Sequence, residues 1–329
     1  MTVLGRRLLT IPLYLLLTLL VTALFPLLLV LAALASVLPQ FRGAVPTLLF
    51  ITGYLWYETA GILAAFLTLA QDDQSDAGWR RNFAIQCWWA SGLKKLAERV
   101  FQLRFHLHNR RALDGGPALL LPRHASIADT ILPVTYFAQP FKTHLRYIMK
   151  RELLFDPCLD LFGNRLPNVF VGRSGQDTER AVAGIRELTA SLGENEGVLI
   201  YPEGTRFSRE KHDALKRKGN QQPKLVGQLE RWPDLLPPRL GGTLAMLEAN
   251  PGRDLLFMAH VGFEGSSHFQ NLINGSWRRA QVHLEFWRIP FAQIPSGRDE
   301  LKQFLFEQWD RMQATILRLQ RLAGTEARR

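Results

Sequence analysis

Cysteine is nearly absent from this 329-residue chain. Cys87 and Cys158 are its only two. They are too few and too far apart for a disulfide framework or a zinc site, and a reducing compartment follows. No cysteine or serine sits in a recognisable nucleophile elbow, so a covalent enzyme intermediate has no evident carrier. Acidic residues are in the minority, 29 against 40 lysines and arginines, for a formal charge of +11. That excess would suit a nucleic-acid binder, but no binding module or aromatic platform accompanies it, and no nucleic-acid partner is expected. Charge of either sign is missing from residues 8–38, and residues 45–70 carry only Glu58.

Both uncharged runs exceed the ~20 apolar residues needed to cross a bilayer. A cleaved signal peptide is the alternative for the first, given Arg6-Arg7 ahead of it and the small residues Ala32-Ala33-Leu34-Ala35-Ser36. Its length argues against that, since a signal core has ~7 to 15 residues and is not normally followed by a second hydrophobic span. Arg6 and Arg7 precede the first run, Arg42 lies in the link, and Arg80, Arg81, Lys94 and Lys95 follow the second. The positive-inside rule then puts both ends in the cytoplasm, on the inner membrane. Pro12, Pro26 and Glu58 leave open a shallow hairpin that enters and leaves one leaflet. Residues 1–75 thus read as an anchor of two hydrophobic helices. On such a chain, excess positive charge attracts anionic phospholipid headgroups.

After a polar link at Asp72 to Asp76, residues 79–100 have the pattern of an amphipathic helix. Leu103, Phe105 and Leu107 then alternate with Arg104, His106 and His108, a half-buried strand with both histidines on its solvated face. Strand and helix patterns alternate from there. Strands are expected up to His124 and over residues 145–149, 168–171, 197–201, 254–263 and 280–287. Helices are expected from Ser126 to about Phe137 and over residues 177–192 and 298–322. This implies an α/β domain over residues 76–329, with a largely parallel or mixed sheet covered by helices. His260 and His283 read as ordinary strand residues. The last helix, with Leu301, Leu305, Trp309, Met312 and Ile316 on one side, suits either the sheet or a lipid surface.

The stretch Ala118-Leu119-Leu120-Leu121-Pro122-Arg123-His124-Ala125-Ser126-Ile127-Ala128-Asp129 stands out. Its apolar run stops before a histidine, with an aspartate five positions later. Residues five apart on one helix point roughly 140° away from each other. A strand delivering His124 to a loop, with Asp129 in the first turns of the next helix, would instead bring the two within hydrogen-bond reach, an oriented general base. Two further strand ends carry polar tips: Val169-Phe170-Val171-Gly172-Arg173, and Gly197-Val198-Leu199-Ile200-Tyr201 running into Pro202-Glu203-Gly204-Thr205-Arg206. In parallel sheets, ligands bind at these carboxyl ends.

Together these blocks resemble the glycerolipid acyltransferase family, the lysophosphatidic acid and related lysophospholipid acyltransferases, over roughly residues 80 to 320. The resemblance rests on a His-x4-Asp block, a block ending in Arg and a Pro-Glu-Gly-Thr-Arg block, in that order. It implies transfer of a fatty acyl group from acyl-CoA or acyl carrier protein to the free hydroxyl of a lysophospholipid such as lysophosphatidic acid, with no bound cofactor or metal. His124 would take the hydroxyl proton and Asp129 would orient it. Glu203, Gly204, Thr205, Arg206, Arg173 and Lys150 would bind substrate. Arg206 suits a phosphate, Glu203 suits the glycerol hydroxyl or Arg206 itself, and Lys150 matches a basic residue that family members carry between the first two blocks, although a solvated helix start also explains it. Membrane phospholipid and lysophospholipid are the implied partners. Phe207 and Leu235-Leu236-Pro237-Pro238-Arg239 look more like the branch that acylates lysophosphatidylinositol and lysocardiolipin. A membrane-bound thioester or lipid hydrolase using the same histidine on water is the other reading. The chain departs from the family pattern at Arg123, at Gly172 and in Leu256-Phe257-Met258-Ala259-His260-Val261, which lacks the usual proline.

Overall fold

The computed structural model describes residues 2–68, 75–172, 175–218, 222–263, 266 and 269–326. Three apolar helices open the chain, α1 (Val3–Ala23), α2 (Phe25–Ala35) and α3 (Ala44–Leu67). The uncharged run over residues 8–38 is therefore broken. Pro26, in the first turn of α2, has no amide hydrogen with which to continue the α1 ladder. By length and composition, α1 and the stretch Pro39–Leu67 each suffice to cross a membrane. Helix α1 turns Leu9, Leu13, Leu16 and Leu20 outward.

The helices are bound to the rest of the chain by more than a linker. At the entry to α3 the Gly43 amide donates to the Ile273 carbonyl at 2.9 Å, and a Cβ on Gly43 would lie 2.2 Å from the Leu272 carbonyl oxygen. Only glycine allows that approach. Further along, Phe50 packs against Phe101 and Trp277 with ring centroids 5.5 and 6.2 Å away. Near the far end of α3, Arg165 donates to the Ala65 carbonyl at 2.9 Å and the Thr68 hydroxyl at 3.1 Å. At the start of α1, Arg6 and Arg7 hold the buried carboxylate of Asp160, at 2.6 and 3.1 Å, on α6 (Pro157–Gly163). The anchor read over residues 1–75 and the domain that follows thus share one core. The polar link between them falls largely outside the described residues.

Helix α4 (Asp76–Phe101) starts at Ser75, whose hydroxyl accepts from the Gly78 amide. It buries Cys87, Ala90, Leu93, Ala97 and Phe101. The strands are β1 (Arg104–His108), β2 (Ala118–Pro122), β3 (His144–Lys150), β4 (Val169–Val171), β5 (Glu196–Leu199), β6 (Asp254–Val261) and β7 (Gln281–Ile289). They form one mixed sheet in the order β1-β7-β6-β2-β5-β3-β4, parallel throughout except for the antiparallel β6–β7 pair. Central β2 is buried along its whole length, as a parallel strand covered on both faces must be.

Helices α3 and α4 cover one face of the sheet. The other is covered by α7 (Gly175–Ala190), α10 (Leu240–Glu248) and α11 (Arg298–Glu326). The sheet therefore claims the apolar side of α11, with Leu305, Trp309, Met312 and Ile316 fully buried in that layer. Short α5 (Gln139–Phe141) precedes β3, and α8 (Arg209–Lys218) and α9 (Pro223–Arg231) follow β5.

Two local expectations change. The helix expected from Ser126 to Phe137 is instead a capped 3-10 turn at Ile127–Ile131 followed by a π turn at Val134–Ala138. Nor are His106 and His108 on a solvated face. Strand β1 pairs with β7, so His106 stacks at 4.6 Å on buried His283, whose Nδ1 lies 3.0 Å from His108 Nε2.

Candidate active site

The carboxyl ends of β6, β2, β5 and β3 lie side by side, and most of the polar residues singled out in the sequence sit just past them. His124 follows β2 by two residues. Ser126 then caps the next turn, its hydroxyl accepting from the Ala128 amide at 3.1 Å, and Asp129 closes a capping box by reaching back to the Ser126 amide. This local turn, rather than a full helix, folds the aspartate back. Its Oδ2 accepts from His124 Nδ1 at 3.0 Å, from the Ala125 amide at 2.6 Å and from the Ser126 amide at 2.8 Å.

The His124 side chain is 15% exposed, and its Nε2 makes no hydrogen bond among the described residues. Burial lowers its pKa below the ordinary value. Asp129 opposes this, and the charges of Arg206 and Lys150 reinforce it. The net result is a neutral imidazole at physiological pH with Nε2 ready to accept a proton. Asp129 is fully buried, which alone would raise its pKa. His260 and His124 outweigh burial and hold the carboxyl well below the usual range.

The third block is tied to the first by the backbone. The Phe207 amide donates to the His124 carbonyl at 2.6 Å. Glu203 is buried, with Oε1 accepting from the His124 amide at 2.7 Å and Oε2 from the Leu236 amide at 2.9 Å. Both oxygens are therefore engaged by backbone, and Glu203 braces the turn rather than facing Arg206. Burial pushes its pKa up to about 8, against the two amides and Arg123, which favour the ionised form. Gly204 has φ 64°, in the left-handed region, and a Cβ there would lie 2.6 Å from Arg239 Cδ.

Arg206 is half-buried and pairs with no carboxylate among the described residues. Lys211 Nζ donates to the Arg206 carbonyl at 2.9 Å and reaches the Thr205 hydroxyl at 3.4 Å. Burial, then Arg206, lower the Lys211 pKa. Lys150, half-buried at the end of β3, completes a group of cations near His124. Arg173 lies outside the described residues.

Three neighbours escaped the sequence. Tyr201 sets its ring 4.3 Å from the His124 ring and donates its hydroxyl to the Asp129 carbonyl at 2.9 Å. His260 Nε2 lies 3.1 Å from Asp129 Oδ1. Lys211 did leave a trace, because a lysine in the first turn of α8 opposes the helix dipole and needs some other reason to be there. Buried Arg123 is a brace. Its Nη1 donates to the His260 carbonyl at 2.5 Å and its Nη2 to the Asp234 carbonyl at 3.1 Å. Ser126 is fully buried with its hydroxyl 2.9 Å from Ser266 Oγ, and both cysteines are buried with thiols pushed up by desolvation, Cys87 to about 12. None of these is a poised nucleophile.

Residues 104–223, which hold all these motif blocks, match the family model named Acyltransferase. The chain is similar to the 1-acyl-sn-glycerol-3-phosphate acyltransferase epsilon of Mus musculus, with 20% identity over 278 residues that cover 82% of this chain and 73% of that protein. Its fold is similar to that in the crystal structure of the 1-acyl-sn-glycerophosphate (LPA) acyltransferase PlsC from Thermotoga maritima. The TM-score is 0.53 at 15% sequence identity, over 86% of this chain and 98% of that one. The similarity to the acyltransferase family model thus rests on this central segment, residues 104–223.

Proposed function

We propose that this acyltransferase moves a fatty acyl group from a thioester, acyl-CoA or acyl carrier protein, to the free hydroxyl of a lysophospholipid such as lysophosphatidic acid. The observation that carries the reading is the 3.0 Å contact of His124 Nδ1 with Asp129 Oδ2, which leaves Nε2 of a neutral imidazole without a partner among the described residues. The acceptor hydroxyl gives its proton to Nε2 as its oxygen attacks the thioester carbonyl carbon. The tetrahedral intermediate then expels the thiolate, which takes that proton from Nε2. The products are an ester and a free thiol. Asp129 holds the tautomer and stabilises the imidazolium, and the transfer is direct, within a ternary complex, because no poised nucleophile stands beside His124 among the described residues.

Arg206, Lys211 and Lys150 form an electropositive group suited to the acceptor's phosphate. A reaction between a lipid and a thioester made in the cytosol also fits a chain whose apolar helices face outward and whose basic residues flank them. We place it on the cytoplasmic side of the membrane.

The test is turnover of purified His124→Ala and Asp129→Asn with a panel of lysophospholipids and one acyl-CoA. Both variants should fold, associate with membrane and lose about 10²- to 10⁴-fold in rate. Wild-type turnover by folded His124→Ala would refute the role. Thioester consumption without lysolipid would favour hydrolysis.

A further inference from the structure

Asp129 has two oxygens, and the His124 contact uses one of them. Oδ2 collects three donors, whereas Oδ1 makes no hydrogen bond to any described residue and has His260 Nε2 beside it at 3.1 Å. His260 is fully buried, and neither of its ring nitrogens makes a hydrogen bond among the described residues, so Asp129 Oδ1, 3.1 Å from Nε2, is the acceptor closest at hand. Burying an imidazole costs free energy that an apolar ring would not. A compensating interaction is called for, and the Asp129 carboxylate is the group within reach.

Register brings the two together. Strands β2 and β6 are parallel neighbours with Pro122 opposite Met258, so His124 and His260 each stand two residues past that pair. Side chains two apart in a strand share a face. Buried Arg123 fixes the strand ends, its amide donating to the Met258 carbonyl at 2.9 Å and its guanidinium to the His260 carbonyl.

We propose that His260 is a positioning residue for acyl transfer, its Nε2–H holding Asp129 in the rotamer that presents Oδ2 to His124. A donor at Oδ1 also tempers the carboxylate's basicity, so that the imidazolium formed at His124 is not trapped and can return its proton to the departing thiolate. The idea rests on the reading of His124 as general base. The charged and titratable groups around this pair are Arg206 and Lys150 facing His124, and Tyr201 and Glu203 near Asp129. All remain in place when His260 is changed.

The test compares full-length His260→Met, which removes the donor, with His260→Gln, which keeps an N–H at similar reach. His260→Met should lower kcat about ten- to a hundredfold, the usual cost of losing an outer partner that orients a histidine, with KM for donor and acceptor little changed. The acid limb of its kcat/KM profile should move to higher pH, because the uncapped carboxylate holds a proton on His124 more tightly. His260→Gln should recover most of the rate and the normal acid limb. In an Asp129→Asn background, His260→Met should cost nothing further. A His260→Met protein with wild-type kcat and acid limb overturns the proposal, as does an equal loss in Met and Gln with the limb unmoved, which would mark a packing role. Should the Met variant fail to fold, His260→Asn, too short to reach Oδ1, takes its place, and an Asn variant as active as Gln overturns the proposal. His124→Ala separates the two levels. If it is active, the general-base reading falls; if it is dead beside a fully active His260→Met, only this inference falls.

Discussion

At Arg206, a guanidinium lies half-buried beside Lys211 and near His124 with no carboxylate partner among the described residues, although Glu203 stands three residues earlier in the same turn. Glu203 is committed to two backbone amides and cannot also neutralise the arginine. An unneutralised cation group in a partly desolvated site is stabilised by an arriving anion, and a charge-assisted hydrogen bond there contributes about 1.5 to 3 kcal/mol. Arg206→Lys keeps the charge but loses the planar fork that holds two phosphate oxygens. It should raise the apparent KM for the phosphorylated acceptor roughly tenfold, and Arg206→Ala up to about a hundredfold, while KM for the donor changes less. Steady-state kinetics with each substrate varied separately check this. Loss of donor affinity alone would remove the phosphate role.

Between elements, the site depends on Glu203. One buried carboxylate ties the end of β2, through the His124 amide, to the segment leading into α10, through the Leu236 amide. Burial raises its pKa from 4.5 to about 8 in the fold. The folded state therefore binds more protons than the unfolded state between those two values, and stability falls as pH rises through that window. Thermal unfolding of the wild type in detergent should show Tm dropping by several degrees from pH 5 to pH 8.5. Glu203→Gln removes the titration, so its Tm should be flatter over the same range. It should start lower at pH 5, because its amide NH2 meets a backbone N–H, a mismatch of about 1 to 3 kcal/mol. A wild type whose Tm rises over that range would contradict the assignment. The capped turn after His124 is the companion device. It replaces the expected helix because Ser126 and Asp129 satisfy the backbone amides that a regular helix start would leave open.

For the whole molecule, the apolar N-terminal helices are part of the domain's own packing. Phe50 joins the main core beside Phe101 and Trp277, Ile62 and Ala65 pack with Cys158, Leu161 and Phe162, and two arginines of α1 hold buried Asp160. A fragment beginning at residue 75 would expose this surface and leave the Asp160 charge unpaired. Each large side chain so exposed forfeits about 1.5 to 3 kcal/mol, and a buried charge left alone costs more. Expression of residues 75–329 should yield aggregated or protease-sensitive protein, where a simple tether would leave a soluble and active domain. Gel filtration and limited proteolysis against the full chain distinguish these outcomes.

Much of this was legible in the chain itself. Apolar runs, strand and helix periods and the spacing of His124 to Asp129 are local properties, and they determined the apolar helical start, the alternating architecture and the pairing of the first block, because a strand end and one capped turn suffice to bring those two side chains together. The Pro-Glu-Gly-Thr-Arg turn was equally visible, but not the direction of its side chains. Glu203 turns inward because the His124 and Leu236 amides, from segments far apart in sequence, converge on it. His260, Tyr201 and the stacked His106 and His283 depend on which strands are neighbours and in what register. A strand's sequence encodes its period but not its partner. Tertiary structure alone set β6 beside β2 with Met258 opposite Pro122, turning an ordinary-looking strand histidine into a neighbour of the buried aspartate.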